Sequence, residues 1–200
     1  GPEDVDLPTL PVFLLNSLAA GATCVLPDGD LRDVSSLQPA RLVSQIRQHG
    51  VTTTSGSPAF FEPLVRFLLA HGLSLPTLRK VFVGGARVRP RLLRDLARVL
   101  PEARVEVVYG STEAEPLATL PAATVLEETA AREATGDGAC VGLPVPGIAV
   151  RLVDPDADTD VPEGHPGEVL VAGDHVNPRY YRDPDADVTN KLADGDTIWH

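Results

Sequence analysis

Lysine is scarce in this chain: Lys80 and Lys191 are the only two in 200 residues, and the net charge is −11 at pH 7. Neutralising nucleic-acid phosphates takes clustered basic side chains, so no nucleic-acid partner is expected. No run of 18 apolar residues occurs, so no transmembrane segment is implied. No basic-then-apolar stretch opens the chain, and a cytoplasmic location is expected. Cys24 and Cys140 show no metal spacing and read as reduced, buried thiols. His49, His71, His165, His175 and His200 lie far apart, also without ligand spacing. Ser57 and Ser111 stand outside any Gly-x-Ser-x-Gly, which argues against a serine hydrolase.

What is present suits a globular fold. The apolar fraction is 43%, and a chain of this size buries roughly 70% of its unfolded surface. From Leu7 to Leu18 apolar residues are dense and read as the inside of a domain. Ala22 to Leu26 reads as a buried strand, stopped by the turn cluster Pro27-Asp28-Gly29-Asp30. Pro39 to His49 is predicted as a helix, with Pro39 in the first turn and Gly50 as the stop. A short strand follows at Val51 to Thr54. Ser57-Pro58 then opens a helix as N-cap and first residue, with Phe60/Phe61, Leu64/Val65 and Leu68/Leu69 forming one wide apolar stripe. Leu78 to Val83 reads as a strand, Pro90 to Leu100 as a helix and Arg104 to Val108 as a strand. In that last helix Leu92, Leu93, Leu96 and Leu100 line one face and Arg91, Arg94 and Arg98 another, so the arginine cluster reads as a solvated helix face.

This alternation argues for an α/β fold, a parallel sheet flanked by helices. Near Leu120 the pattern changes. Thr124 to Ala134 reads as a helix, and short alternating strands follow at Ile148 to Val153 and Glu168 to Ala172. We therefore expect residues 1–120 to form the α/β part and residues 121–200 a smaller, mainly antiparallel β subdomain of the same domain. Asp154, Asp156, Asp158 and Asp160 lie between those strands. Thr159 and His165, or Val161 and Gly167, stand where a calcium loop needs glycine and glutamate, so the stretch reads as a solvated hairpin loop.

The chemistry concentrates in Arg104 to Glu113. β-branched Val105, Val107 and Val108 begin a strand. It is expected to break at Gly110 and to present Ser111, Thr112 and Glu113 from its C-terminal end, where parallel α/β sheets bind ligands. The ring of Tyr109 suits a flat base, and the glycine permits close approach. The hydroxyl and carboxylate suit a phosphate and a divalent cation. Glu115, just beyond, reads as a solvated loop carboxylate.

Tyr109-Gly110-Ser111-Thr112-Glu113 resembles the Tyr-Gly-x-Thr-Glu motif of the adenylate-forming (AMP-binding) acyl-CoA synthetase and ligase superfamily. Val81-Phe82-Val83-Gly84-Gly85-Ala86 upstream and Gly167 to Gly173 with Tyr180-Tyr181 downstream are similar to flanking segments of the same family. The likeness covers essentially the whole chain. Asp6 to Phe13, Glu127 to Arg132, Gly138 to Gly142 and Trp199-His200 resemble the subgroup of olefin biosynthesis that makes β-lactones from β-hydroxy acids. Leu14 follows Phe13 where many acyl-CoA synthetases have histidine.

The resemblance implies an ATP-dependent, AMP-forming enzyme that activates a fatty or β-hydroxy fatty acid as an acyl-adenylate. It implies a distorted barrel for the β subdomain. Tyr109 would stack on adenine, Thr112 would contact the α-phosphate and Glu113 would bind Mg²⁺. Gly84, Gly85 and Ala86 would wall the adenine and acyl pockets, and Gly110 and Ser111 would complete the nucleotide-binding turn. ATP and a carboxylic acid are the implied partners, with CoA in a ligase version and a homodimer or a complex with other pathway enzymes as assembly states. The family's phosphate loop would lie before Gly1, and its ribose-binding aspartate and C-terminal lysine domain beyond His200. The 200 residues therefore read as the middle of an enzyme, inactive in adenylation alone. A non-catalytic nucleotide-binding or interaction fragment is the alternative from another class.

Overall fold

In a computed structural model, the structure describes residues 1–136, 138–157 and 159–200. Two compact units are present: Gly1–Val108 with Leu120–Val141, and Tyr109–Thr119 with Gly142–His200. The cut expected at residue 120 differs from this division in placing 109–119 and 121–141.

The first unit is built on five parallel strands in the order β2-β1-β3-β4-β5. These are β1 (Val5–Pro8), β2 (Thr23–Cys24), β3 (Thr53–Gly56), β4 (Lys80–Val83) and β5 (Arg104–Ser111). Register places Leu7 beside Thr54, Thr54 beside Val81 and Val81 beside Val105, so these residues share one face. Helices α2 (Pro39–His49), α3 (Pro58–Ala70) and α4 (Pro90–Val99) bury their apolar stripes with that face in one core. Phe60 and Phe61 are fully buried and meet edge to face at 4.9 Å. The helices start where proline pre-sets the backbone; Ser57, however, makes no side-chain cap bond. At the end of β3, a Cβ on Gly56 would lie 2.8 Å from the Phe60 ring, so only glycine lets α3 sit this close.

Two expectations near the N-terminus are corrected. Residues 5–19 form a strand, β1, and a helix, α1 (Pro11–Ala19), neither of which periodicity revealed. The apolar residues read as interior are largely exposed on α1: Val12 58%, Leu15 67% and Leu18 54%. The strand expected over Ala22 to Leu26 shrinks to the two residues of β2. Helical backbone over residues 122–134 is present, as α5 (Ala122–Thr124), a wider π-type segment (Val125–Thr129) and α6 (Ala130–Ala134).

The second unit is mainly antiparallel. β5 does not break at Gly110. It runs through Ser111, turns at Thr112-Glu113 and returns as β6 (Ala114–Pro121). β7 (Leu143–Pro144) pairs antiparallel with β6. β8 (Ile148–Val153) and β9 (Glu168–Gly173) form a hairpin, and β10 (Leu192–Asp194) and β11 (Thr197–Trp199) another. His200 exchanges both backbone hydrogen bonds with Val171 of β9, at 2.9 Å each. The core is small: Ala114, Leu117, Val171 and Val176. The chain as a whole thus carries a mixed sheet flanked by helices, with small antiparallel sheets besides. Cys140 is exposed rather than buried, and Cys24 is half-buried. In the acidic loop Asp154 accepts from the Asp156 amide and Asp160 meets Arg151; Asp158 lies outside the described residues. No helix among the described residues is long and apolar enough to cross a membrane.

Candidate functional site

The two glycine-bearing turns singled out from sequence belong to different compact units. In the first unit, Gly84-Gly85-Ala86 follows β4 directly. A Cβ on Gly84 would lie 2.6 Å from the Val108 carbonyl oxygen, so the turn leaves β4 in close contact with β5. Gly85 has φ +73°, the left-handed region that disfavours a side chain. Gly85 and Ala86 are exposed. Their backbone is therefore accessible at the C-terminal end of a parallel strand, where such sheets bind ligands.

In the second unit the structure brings Tyr109, Gly110, Ser111, Thr112 and Glu113 together as one hairpin. Gly110 is obligatory there: a Cβ would lie 2.8 Å from the Ala114 carbonyl oxygen and 3.3 Å from the Glu115 Cα. Tyr109 and Ser111 line a cavity of about 450 Å³, bounded also by Leu117, Val171, Lys191 and His200. Thr112 is exposed at the turn.

Glu113 is held at three points. The Tyr180 hydroxyl donates to Oε1 at 2.9 Å, and the Asn177 amide donates to the Glu113 carbonyl at 2.6 Å. The Nε2 of His200 lies 3.9 Å from Oε2. The Tyr180 bond, more than any other influence, holds the Glu113 carboxyl below its ordinary range, so it is ionised. Burial pushes the Tyr180 hydroxyl up, and its bond to Glu113 adds to the effect. No group of three or more metal-ligating side chains occurs among the described residues. Glu113 is thus a lone ionised carboxylate, which fits the way Mg²⁺ is held through one or two carboxylates and substrate phosphates.

Glu115 departs from its expectation. It lies on β6, half-buried, and burial raises its pKa. Pro116 and Pro121 hid β6, because proline within a run argues against a strand. Sequence reasoning also missed Tyr180, Asn177, Lys191 and His200 as the surroundings of Glu113. They stand 67, 64, 78 and 87 positions further along the chain, which no local pattern reveals. Tyr180 and His200 carried a signal only as parts of longer resembling segments.

The family model for AMP-binding enzymes matches residues 10–181. The chain belongs to the AMP-binding enzyme family. It is 38% identical over 206 aligned positions to an olefin beta-lactone synthetase of Stenotrophomonas maltophilia, covering 96% of this chain and 36% of that protein. It is 31% identical to a long-chain-fatty-acid–CoA ligase of Thermus thermophilus, again over 96% of this chain and 36% of that one. The chain therefore spans about a third of the length of these curated relatives. Among solved structures, that of CmiS6 superposes with a TM-score of 0.78 at 23% identity, over all of this chain and 49% of that one, which speaks to the fold alone. This AMP-binding chain thus carries the family's fold, and its resemblance to olefin beta-lactone synthetases extends over nearly its full length.

Proposed function

We propose that the chain supplies the nucleotide-binding turn of a cytoplasmic, ATP-dependent, AMP-forming enzyme that activates a fatty or β-hydroxy fatty acid. The observation that carries this reading is the hairpin itself. It displays an exposed ring, a bare backbone, two hydroxyls and an ionised carboxylate in five consecutive residues.

Each group has a task that suits its surroundings. Tyr109 offers an exposed aromatic face at a cavity, where a base can stack. Thr112, at the turn, offers an exposed hydroxyl to a phosphoryl oxygen. Glu113 is the residue that would hold Mg²⁺, kept ionised by Tyr180. A bound Mg²⁺ supplies charge neutralisation on the polyphosphate. Gly84, Gly85 and Ala86 expose backbone, suited to the edge of a base or an acyl chain. Attack by a carboxylate on the α-phosphate needs this positioning and charge stabilisation more than it needs covalent help from the protein.

The product is a β-lactone when the substrate's own hydroxyl displaces AMP, the reading favoured by likeness to the S. maltophilia olefin beta-lactone synthetase. A CoA thioester is the second reading, supported by the T. thermophilus CoA ligase. The test is AMP release by the polypeptide that carries these residues, supplied with ATP, Mg²⁺ and a β-hydroxy acid. AMP release without CoA supports lactone formation. A strict CoA requirement supports the ligase, and no acid-dependent AMP in either case contradicts the proposal.

A further inference from the structure

The two lysines have opposite surroundings. Lys80 is ion-paired with Asp4 at 3.0 Å. Lys191, just after helix α7 (Pro184–Asn190), is half-buried and has no carboxylate within ion-pair distance among the described residues. Its Nζ donates to the Asn177 carbonyl at 2.6 Å and lies 5.0 Å from the centre of the Tyr180 ring. An ammonium has three donors, so this neutral contact leaves most of its hydrogen-bonding capacity, and its charge, without an anionic partner. Burial pulls its pKa down, against the pull of Glu113 and Asp187.

Two features turn this into a site. Lys191 lines the same cavity of about 450 Å³ as Tyr109, Ser111 and His200. It is also fixed relative to Glu113 through one residue. The Asn177 amide donates to the Glu113 carbonyl, and the Asn177 carbonyl accepts from Lys191. The Glu113 carboxylate is engaged elsewhere, since the Tyr180 hydroxyl donates to its Oε1 at 2.9 Å. The ammonium of Lys191 thus lines the cavity, linked to Glu113 through Asn177 but not ion-paired with it. Glu168, on the exposed part of the wall, does not pair with Lys191 either.

We propose that Lys191 is an anion-binding residue of this cavity, and that its ligand is a phosphoryl oxygen of the nucleotide's polyphosphate. The inference rests on the reading above that the cavity takes a nucleotide. A phosphoryl group matches both neighbours: one oxygen meets the ammonium, and others face the cation that Glu113 would hold. A substrate carboxylate carries the same sign of charge, and the test separates the two.

Trp199 is the only tryptophan and precedes His200 of the cavity wall, so its fluorescence reports binding. The chain is titrated with ATP, adenosine, inorganic pyrophosphate and 3-hydroxyoctanoate in MgCl₂, as wild type, Lys191→Met and Lys191→Arg. Loss of a charge-assisted bond is expected to weaken ATP and pyrophosphate about tenfold or more in Lys191→Met. Adenosine should bind unchanged, and Lys191→Arg should retain most of the affinity. Unfolding midpoints equal to wild type confirm that the variants are folded; if Lys191→Met is not, Lys191→Gln, which also removes the charge, takes its place and should weaken pyrophosphate but not adenosine. Equal ATP affinity in wild type and the variants overturns the role of Lys191 alone. Loss of hydroxy-acid binding with ATP unaffected overturns the phosphoryl assignment. A wild-type chain that binds none of the four overturns the nucleotide reading as well.

Discussion

Glu113 and Glu115 stand two residues apart on one hairpin, and their surroundings push their pKa values in opposite directions. Tyr180 holds Glu113 below its ordinary range, while burial lifts Glu115. Glu113 is thereby the carboxylate of the two that more readily stays charged, and it is the one proposed above to hold the cation. Glu113→Gln keeps the shape and removes the charge, so Mg²⁺-dependent ATP affinity should fall about tenfold or more, as for other lost charge-assisted contacts. A calorimetric titration checks it. Gly110→Ala tests the hairpin itself. Backbone atoms at 2.8 and 3.3 Å leave no room for a methyl group, so a loss of about 1–3 kcal/mol in denaturant unfolding is expected. The motif residues stood out in sequence because an aromatic ring, a glycine, two hydroxyls and a carboxylate follow one another there. Their partners were not, since Tyr180 and His200 reach Glu113 only through the fold.

Among the elements, the helices were the most readable. Proline at the first turn and a leucine or phenylalanine stripe identified α2, α3 and α4 almost to the residue. Phe61, fully buried in α3, should therefore be costly to truncate: Phe61→Ala is expected to lose about 3–5 kcal/mol in chemical denaturation. β1 and α1 were not legible, because Asp6, Pro8 and Pro11 interrupt the apolar run that they occupy. Asp6 itself marks the cost. It is buried, its Oδ2 accepts from Ser17 at 2.6 Å, and its Oδ1 has no partner. Burial raises its pKa in the folded chain. Native Asp6 thus holds its proton more tightly than unfolded Asp6, so its effect favours folding below the unfolded value and is lost as pH rises through the folded one. Asp6→Asn cannot ionise. Its unfolding midpoint should exceed that of wild type at pH 7 and converge towards it at low pH, as followed by circular dichroism across pH.

At the scale of the molecule, the two units differ in how much they bury. Among the described residues, the first joins more than twenty buried apolar side chains in one core, whereas the largest buried apolar cluster of the second has four. Local opening is easiest where buried contacts are few. Amide hydrogen exchange should accordingly be slower in β3 and β4 than in β8 and β10; equal protection would contradict this. The parallel half was legible from alternation of strand and helix. The antiparallel half was less so, because its strands are short and β6 contains proline, and it holds the ionised carboxylate on which the account turns. The most direct measurement is equilibrium binding of ATP to this chain with and without Mg²⁺. Saturable binding that Mg²⁺ strengthens, AMP competes away and Glu113→Gln weakens is the expected result. Absence of ATP binding, or binding indifferent to Mg²⁺, AMP and Glu113, would contradict it.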